Sequence, residues 1–158
     1  MTRNSLVILA AGGSLALLLG ALAFQHVGGL APCKLCIWQR WPHGAAIAIG
    51  ALVLLVPLGI GAVRLLLGAG LLAALTTAGI GGYHTGVERG WWEGPSSCTA
   101  GSTSGMSTDE LMDQIMSAPL VRCDEVPWEM LGLSMASWNM LASLLFAVFW
   151  TMALRRAV

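Results

Sequence analysis

The sequence predicts an all-α integral membrane protein: a bundle of four transmembrane helices with one long polar loop. Three observations carry that prediction. The 158-residue chain is 56% hydrophobic and only 10% charged, against about 25% charged residues in a soluble domain, and its mean hydropathy is +0.75. Four apolar runs are long enough to cross a hydrocarbon core of about 30 Å. All eight acidic residues fall between Glu88 and Glu129, so one connection stands out as water-facing. The length suits a single membrane domain over residues 1–158. A formal net charge of zero argues against nucleic acid as a partner.

The first span is expected over residues 5–24, which carry no charge, and it ends at Gln25-His26-Val27-Gly28-Gly29. A cleaved signal peptide is the competing reading, but its apolar core would be only about 7–15 residues long, so a retained helix is preferred. The second span is expected over residues 43–62. Pro42 suits a first helical turn, where its missing N–H costs little, and it biases Trp41 away from helix. Residues 33–41 are therefore expected to form their own short helical piece, joined to the span by a kink. Pro57 should bend or end that span. Arg64 marks a very short turn, and the third span, residues 65–83, must then run antiparallel to the second.

Residues 84–137 read as a water-exposed loop of roughly 50 residues, long enough that function or disorder is expected. Within it, residues 99–105 have flexible linker composition. Ser107 and Glu110 have capping-box spacing. Leu111, Met112, Ile115 and Met116 then share one helical face, opposite Asp109, Asp113 and Gln114. A short amphipathic helix over about residues 107–118 follows, lying on the bilayer surface or packed on the protein's own loop. The fourth span is expected over residues 138–154, closed by Arg155 and Arg156.

Four spans put both termini on one side, with Arg3, Arg64, Arg155 and Arg156. Lys34, Arg40, Arg89 and Arg122 fall on the other, so the raw count is a tie. The first set sits in very short segments at helix ends, where the positive-inside rule has most force. Trp38, Trp41, Trp91, Trp92, Trp128 and Trp138 lie on the second side, and Trp150 alone lies near the first. The cysteines decide the orientation. Thiol pairs that cycle through disulfides belong outside the reducing cytosol, so the Cys-bearing loops are placed in the periplasm and the termini in the cytoplasm.

The chemistry starts at Cys33-Lys34-Leu35-Cys36. The pair opens a helix, where backbone N–H groups and the positive dipole end stabilise a thiolate. Arg40 follows one turn after Cys36 on the same face. Inert buried thiols fit poorly, because none of the four cysteines lies deep in an apolar run. Zinc is a second alternative: Cys98 and Cys123, with His26, His43 and His84, could complete a ligand set, but the short second-pair spacing of a zinc ribbon is missing. Cys98 and Cys123 enclose the flexible stretch. As a structural bridge they could contribute roughly 3 kcal/mol, yet a surface loop offers no visible core to protect. A mobile, exposed disulfide suits exchange better. Two pairs at one membrane face suggest a relay from the loop pair to the CxxC pair and then to an acceptor. There is no GxGxxG and no CxxCH, and the two-electron acceptor that dissolves in a bilayer is a quinone. Arg40 is a candidate to hydrogen-bond a quinone carbonyl; the competing role is contact with a lipid phosphate.

Pro32-Cys33-x-Leu35-Cys36-Ile37-x-Gln39-Arg40, four spans and a second Cys pair between spans three and four resemble the DsbB family. Cys123-Asp124-Glu125-Val126-Pro127-Trp128, then Leu131-Gly132-Leu133-Ser134 and Trp138-Asn139, are similar to the segment leading into that family's last helix. The resemblance covers nearly the whole chain. It implies a bacterial inner-membrane thiol oxidase that reoxidises a soluble DsbA-like, thioredoxin-fold disulfide donor and hands the electrons to ubiquinone or menaquinone. It further implies that Cys98 forms the mixed disulfide, with Cys123 its pair. Cys36 would face the quinone, Cys33 would be its exchanging partner, and Arg40 and His84 would belong to the quinone site. Two alternatives stay open. One is a vitamin K epoxide reductase-like oxidoreductase, for which a CxxC late in the chain is expected. The other is a structural or assembly membrane protein with two static disulfides.

Overall fold

The computed structural model describes residues 1–99, 107–117 and 121–157. Most of the expected linker, residues 100–105, lies outside the described residues, as do the side chains of Leu111, Gln114 and Ile115. The elements are α1 (Arg3–His26), α2 (Lys34–Leu55), α3 (Ile60–Glu88), α4 (Thr108–Ser117), the short strands β1 (Glu129–Met130) and β2 (Leu133–Ser134), and α5 (Met135–Arg155). Three of the long helices begin with a side-chain cap that occupies an orphan backbone N–H. Thr2 accepts from Ser5 N, Cys33 Sγ from Cys36 N, and Ser134 Oγ from Ser137 N.

α1, α3 and α5 are each long and apolar enough to cross a membrane. α2 is not among them. Its first half carries Lys34, Gln39, Arg40 and His43, which lower its mean hydropathy. It nonetheless packs against α1 and α3, and α5 closes the ring by packing against the same two helices. The main core holds Leu6, Val7, Leu67, Phe146 and Trp150. Small residues let the helices approach closely. A Cβ at Gly70 would lie 2.8 Å from the Trp150 indole, and Trp150 is fully buried rather than interfacial. Gly70→Leu should therefore destabilise the bundle by about 1–3 kcal/mol. Gly68→Leu, which faces open space, should change little; thermal unfolding in detergent compares the two.

The helix boundaries differ from the expected ones in informative ways. α2 is one helix from Lys34 to Leu55 and passes through Pro42, so residues 33–41 are not a separate piece. Proline inside a bundle helix is tolerated when neighbouring groups satisfy the freed backbone. The helix stops before Pro57, because Val56 takes the extended conformation (φ −104°, ψ 130°) that a following proline favours. α3 then starts at Ile60, so Arg64 lies inside a helix instead of marking the turn, and its Nε donates to the Ala157 carbonyl at 2.9 Å.

α3 also runs on past residue 83 to Glu88. His84 and Glu88 are thus helical and buried, not part of a water-exposed loop. The chain after α3 folds back along it. Trp91 N–H bonds the Gly86 carbonyl at 2.9 Å, and Trp92 Nε1 bonds the Tyr83 carbonyl at 2.9 Å, with its ring stacked on Tyr83. Before α5, β1 and β2 pair antiparallel through Leu131 and Gly132, both at positive φ (55° and 76°), as tight two-residue hairpin turns require. Arg89 clamps this hairpin by donating to the Gly132 carbonyl at 2.6 Å. At the start of α4, Ser107 N donates to Glu110 Oε2 at 2.8 Å and Glu110 N to Ser107 Oγ at 3.4 Å, the reciprocal pattern of a capping box.

Candidate functional site

A second buried cluster joins the two cysteine pairs: Cys33, Leu35, Val87, Cys98 and Cys123, with Cys36 and Val121 packed beside it. Cys98 and Cys123 are bonded to each other. Their bridge is not exposed, as the sequence had suggested, since Cys98 is 1% and Cys123 0% accessible. Leu35 of α2 and Val87 of α3 give the bridge a small core, and apolar sulfur is a natural filling for it. Around the bridge, Cys123 N–H donates to the Cys98 carbonyl at 2.6 Å, and Lys34 Nζ donates to Ser97 Oγ at 3.0 Å. Arg122 grips Asp124 through both carboxylate oxygens, at 3.0 and 2.6 Å. That grip holds the Asp124 carboxyl below the usual carboxylate range.

Cys33 and Cys36 are free thiols. Cys33 Sγ donates to Cys36 Sγ at 2.9 Å and accepts the Cys36 N–H at 3.2 Å, at the helix end where negative charge is favoured. One pair is bonded and the other is not. Two of the four sulfurs are taken up by the bridge. Cys33, Cys36 and His84 do bring three donor atoms within 4.8 Å of one another. His26 is exposed.

A buried polar network runs from this pair into the bundle, and its direction is set by one backbone carbonyl. Gln39 Nε2 donates to the Leu35 carbonyl at 3.2 Å, which fixes the orientation of that amide. The same Nε2 meets His84 Nδ1 at 3.0 Å, so Nδ1 accepts and the His84 proton sits on Nε2. Nε2–H lies 3.5 Å from Cys33 Sγ and 3.7 Å from Glu88 Oε1. Glu88 also accepts a hydrogen bond from Ser134 Oγ. On the other side, Gln39 Oε1 accepts from Asn139 Nδ2 at 2.6 Å. Asn139 Oδ1 therefore faces His43 Nε2, at 2.8 Å, and His43 must donate. Thr77 Oγ1 donates to the Gln39 carbonyl at 3.2 Å and accepts from Asn139 Nδ2 at 3.2 Å and His43 Nε2 at 3.3 Å.

Several of these residues line a cavity of about 470 Å³. Cys33, Cys36, Arg40, His43, His84 and Asn139 face one part of it, and Phe24 and Trp128, with ring centroids 5.2 Å apart, form an aromatic wall. Arg40 Nη1 donates to Gln25 Oε1 at 2.6 Å, which steadies the guanidinium. Two buried polar atoms of cavity-lining residues have no partner among the described residues: Arg40 Nε, a donor, and His43 Nδ1.

The sequence was compared with known families. The model for "Disulfide bond formation protein DsbB" matches residues 3–153. The chain belongs to the DsbB family. Disulfide bond formation protein B of Methylococcus capsulatus is 36% identical over 139 residues, covering 85% of this chain and 83% of that protein. Disulfide bond formation protein B 2 of Pseudomonas aeruginosa is 34% identical, covering 81% and 76%. Disulfide bond formation protein B of Shewanella frigidimarina is 30% identical, covering 89% and 83%. Membership in the DsbB family makes the chain a membrane disulfide-forming oxidoreductase and implies a thiol–disulfide partner.

Of the sequence-predicted site residues, Cys33, Cys36, Arg40 and His84 line one cavity, and Cys98 and Cys123 pack behind Cys33. The sequence assigned no site role to the residues that orient this site: Gln39, Ser134 and Asn139 stood only in the stretches that resemble the family, and Gln25, Thr77 and Glu88 were not singled out. A usable signal existed for some of them. A polar residue inside a membrane span is costly and usually faces the bundle interior, and Thr77 and Asn139 both interrupt apolar runs. Glu88 carried no such signal, because it sits among the other acids of the loop in sequence.

Proposed function

We propose that the chain reoxidises a DsbA-like, thioredoxin-fold dithiol in the periplasm and passes the electrons through Cys98–Cys123 to Cys33–Cys36 and on to a membrane quinone, either ubiquinone or menaquinone. The single observation that carries this reading is that both cysteine pairs share one buried cluster that borders a large cavity, two of whose lining residues, Arg40 and His43, each hold a buried polar atom with no partner among the described residues. The cavity fits a quinone ring: Phe24 and Trp128 offer apolar area, and Arg40 Nε offers a donor. When bound, a quinone supplies an acceptor for the two electrons and two protons that leave a dithiol as it becomes a disulfide.

The chain's own residues do the rest. A partner thiolate attacks Cys98 Sγ, breaks the Cys98–Cys123 bond and releases Cys123 as a thiolate. The partner's second thiol then attacks the mixed disulfide, so the partner leaves oxidised and Cys98 leaves reduced. Cys123 next attacks Cys33 of an oxidised CxxC pair and displaces Cys36. Cys98 resolves that bond, which restores the loop bridge and leaves Cys33 and Cys36 as thiols. That final bonding pattern is the one present in the structure. His84 Nε2–H is within reach of Cys33 Sγ and steadies negative charge there. Because Cys98 is buried, the partner must displace its cover before attack.

The membrane arrangement belongs to the same proposal. α2 serves as the fourth span because it completes the ring of packed helices, with its polar half turned to the site. The cysteine side faces the periplasm and both termini the cytoplasm, in a bacterial inner membrane. α4 lies on the bilayer surface, supported by the exposure of Met112 and Met116.

The test is trapping. A thioredoxin-fold partner whose second cysteine is replaced by serine should accumulate a mixed disulfide with Cys98, because its remaining thiolate breaks the Cys98–Cys123 bond and the thiol that would release it is gone. Non-reducing electrophoresis with mass spectrometry identifies the joined cysteines. A mixed disulfide found at Cys123 instead of Cys98 would reverse the assigned polarity.

A further inference from the structure

We infer that His43 recognises the hydroxyl of the reduced, quinol form of the ligand in this cavity, through the lone pair on Nδ1. This rests on the quinone reading of the cavity. His43 is buried, at 4% accessible. It lies in α2 one turn beyond Gln39, lines the cavity, and belongs to neither the CxxC pair nor its arginine.

The argument is one of hydrogen-bond polarity. The Leu35 carbonyl can only accept, so Gln39 Nε2 must point to it. Gln39 Oε1 then faces Asn139 Nδ2, and Asn139 turns its Oδ1 toward His43. His43 therefore carries its proton on Nε2, shared between Asn139 Oδ1 and Thr77 Oγ1. In the neutral ring, Nδ1 is left as an acceptor, and it has no partner among the described residues. A buried acceptor left unpaired costs free energy that a matching donor recovers.

The two oxidation states of the ligand differ in what they can offer that atom. Quinone oxygens accept only; quinol oxygens carry O–H groups. Arg40 Nε, a donor, can meet an oxygen of either form. His43 Nδ1 can bond only the O–H form. The pair therefore discriminates between the forms: Arg40 holds the ligand in both states, and His43 adds affinity only after reduction. The consequence is a site biased toward the product state of the ligand, which draws the redox equilibrium of the CxxC pair toward the disulfide.

The test is binding, read from quenching of the cavity tryptophans Trp128 and Trp138. A Cys36→Ser background prevents electron transfer to the ligand. The probes are a short-chain benzoquinone, its quinol kept anaerobically, and the dimethyl ether of that quinol, which has no hydroxyl hydrogen. His43→Phe should weaken quinol binding about 3- to 10-fold and leave quinone binding nearly unchanged. His43→Gln, which keeps an acceptor of similar reach, should recover part of the quinol affinity. If His43→Phe does not fold, the ether answers the question without it. It should bind the His43-containing protein several-fold more weakly than the quinol, and that gap should narrow in His43→Gln. Equal losses for quinone and quinol, a larger loss for quinone, or no preference for quinol over its ether would overturn the inference and leave the quinone site standing. Failure of all three probes to bind the His43-containing protein would overturn the quinone reading itself.

Discussion

Arg40→Ala should slow quinone reduction by about 10²–10³ and weaken quinone binding. The guanidinium is held by Gln25 through Nη1, so it does not need to be ordered when a ligand arrives. Its Nε is a buried donor with no partner among the described residues, in a residue that lines the cavity beside Cys36. As electrons move from the thiols, the acceptor oxygens gain negative charge. A fixed cation then stabilises the transition state more than the ground state. Arg40→Lys keeps the charge but not the planar fork of donors, and it should fall between the wild type and the alanine variant. Exchange between the two cysteine pairs should stay near normal in both variants, because Arg40 is not part of the sulfur cluster. Stopped-flow quinone absorbance measures the first step, and timed alkylation measures the second. Wild-type quinone reduction by Arg40→Ala would make Arg40 a lipid contact only.

Gln39→Leu should destabilise the protein by about 2–6 kcal/mol, the sum of two buried partners each left short at about 1–3 kcal/mol. The partners are His84 Nδ1 and Asn139 Nδ2, although Asn139 keeps Thr77. The functional effect should be specific. Without Gln39 the tautomer of His84 is no longer fixed, and Nε2–H no longer serves Cys33 in every molecule. Disulfide exchange from Cys123 to Cys33 should then slow more than access of the partner to Cys98. Thermal unfolding in detergent gives the stability, and alkylation rates at Cys33 and Cys98 separate the steps. A Gln39→Leu protein as stable as its parent would mean that Gln39 does not organise this network.

Much of the architecture was legible from the sequence because membrane helices are read from length and apolarity alone. α1, α3 and α5 follow from that rule. α2 is harder, because Gln39, Arg40 and His43 make its first half polar, and those are the residues that build the site. The helix boundaries went astray where a local propensity met tertiary support. Pro42 suggested a break, yet α2 continues through it. Glu88 looked like a loop acid, yet α3 carries it into a pocket with His84 and Ser134. The motif residues Cys33, Cys36 and Arg40 were legible as a group, since one helical turn relates them. The hydrogen bonds from Gln39 to His84 and to Asn139 cross between helices, and no spacing in the sequence encodes them. The burial of Cys98 and Cys123 was missed for the same reason: their cover comes from Leu35 and Val87, on two different helices.

The most direct test of the account is a single anaerobic mixing experiment. Purified protein with an oxidised CxxC pair is mixed with a soluble quinone and a reduced thioredoxin-fold dithiol, and quinone absorbance is followed together with the thiol count. The account predicts that quinone is lost mole for mole with dithiol oxidised, and that Cys33→Ser, Cys36→Ser, Cys98→Ser and Cys123→Ser each stop turnover. Dithiol oxidation without quinone loss, or turnover that survives removal of either cysteine pair, would contradict it.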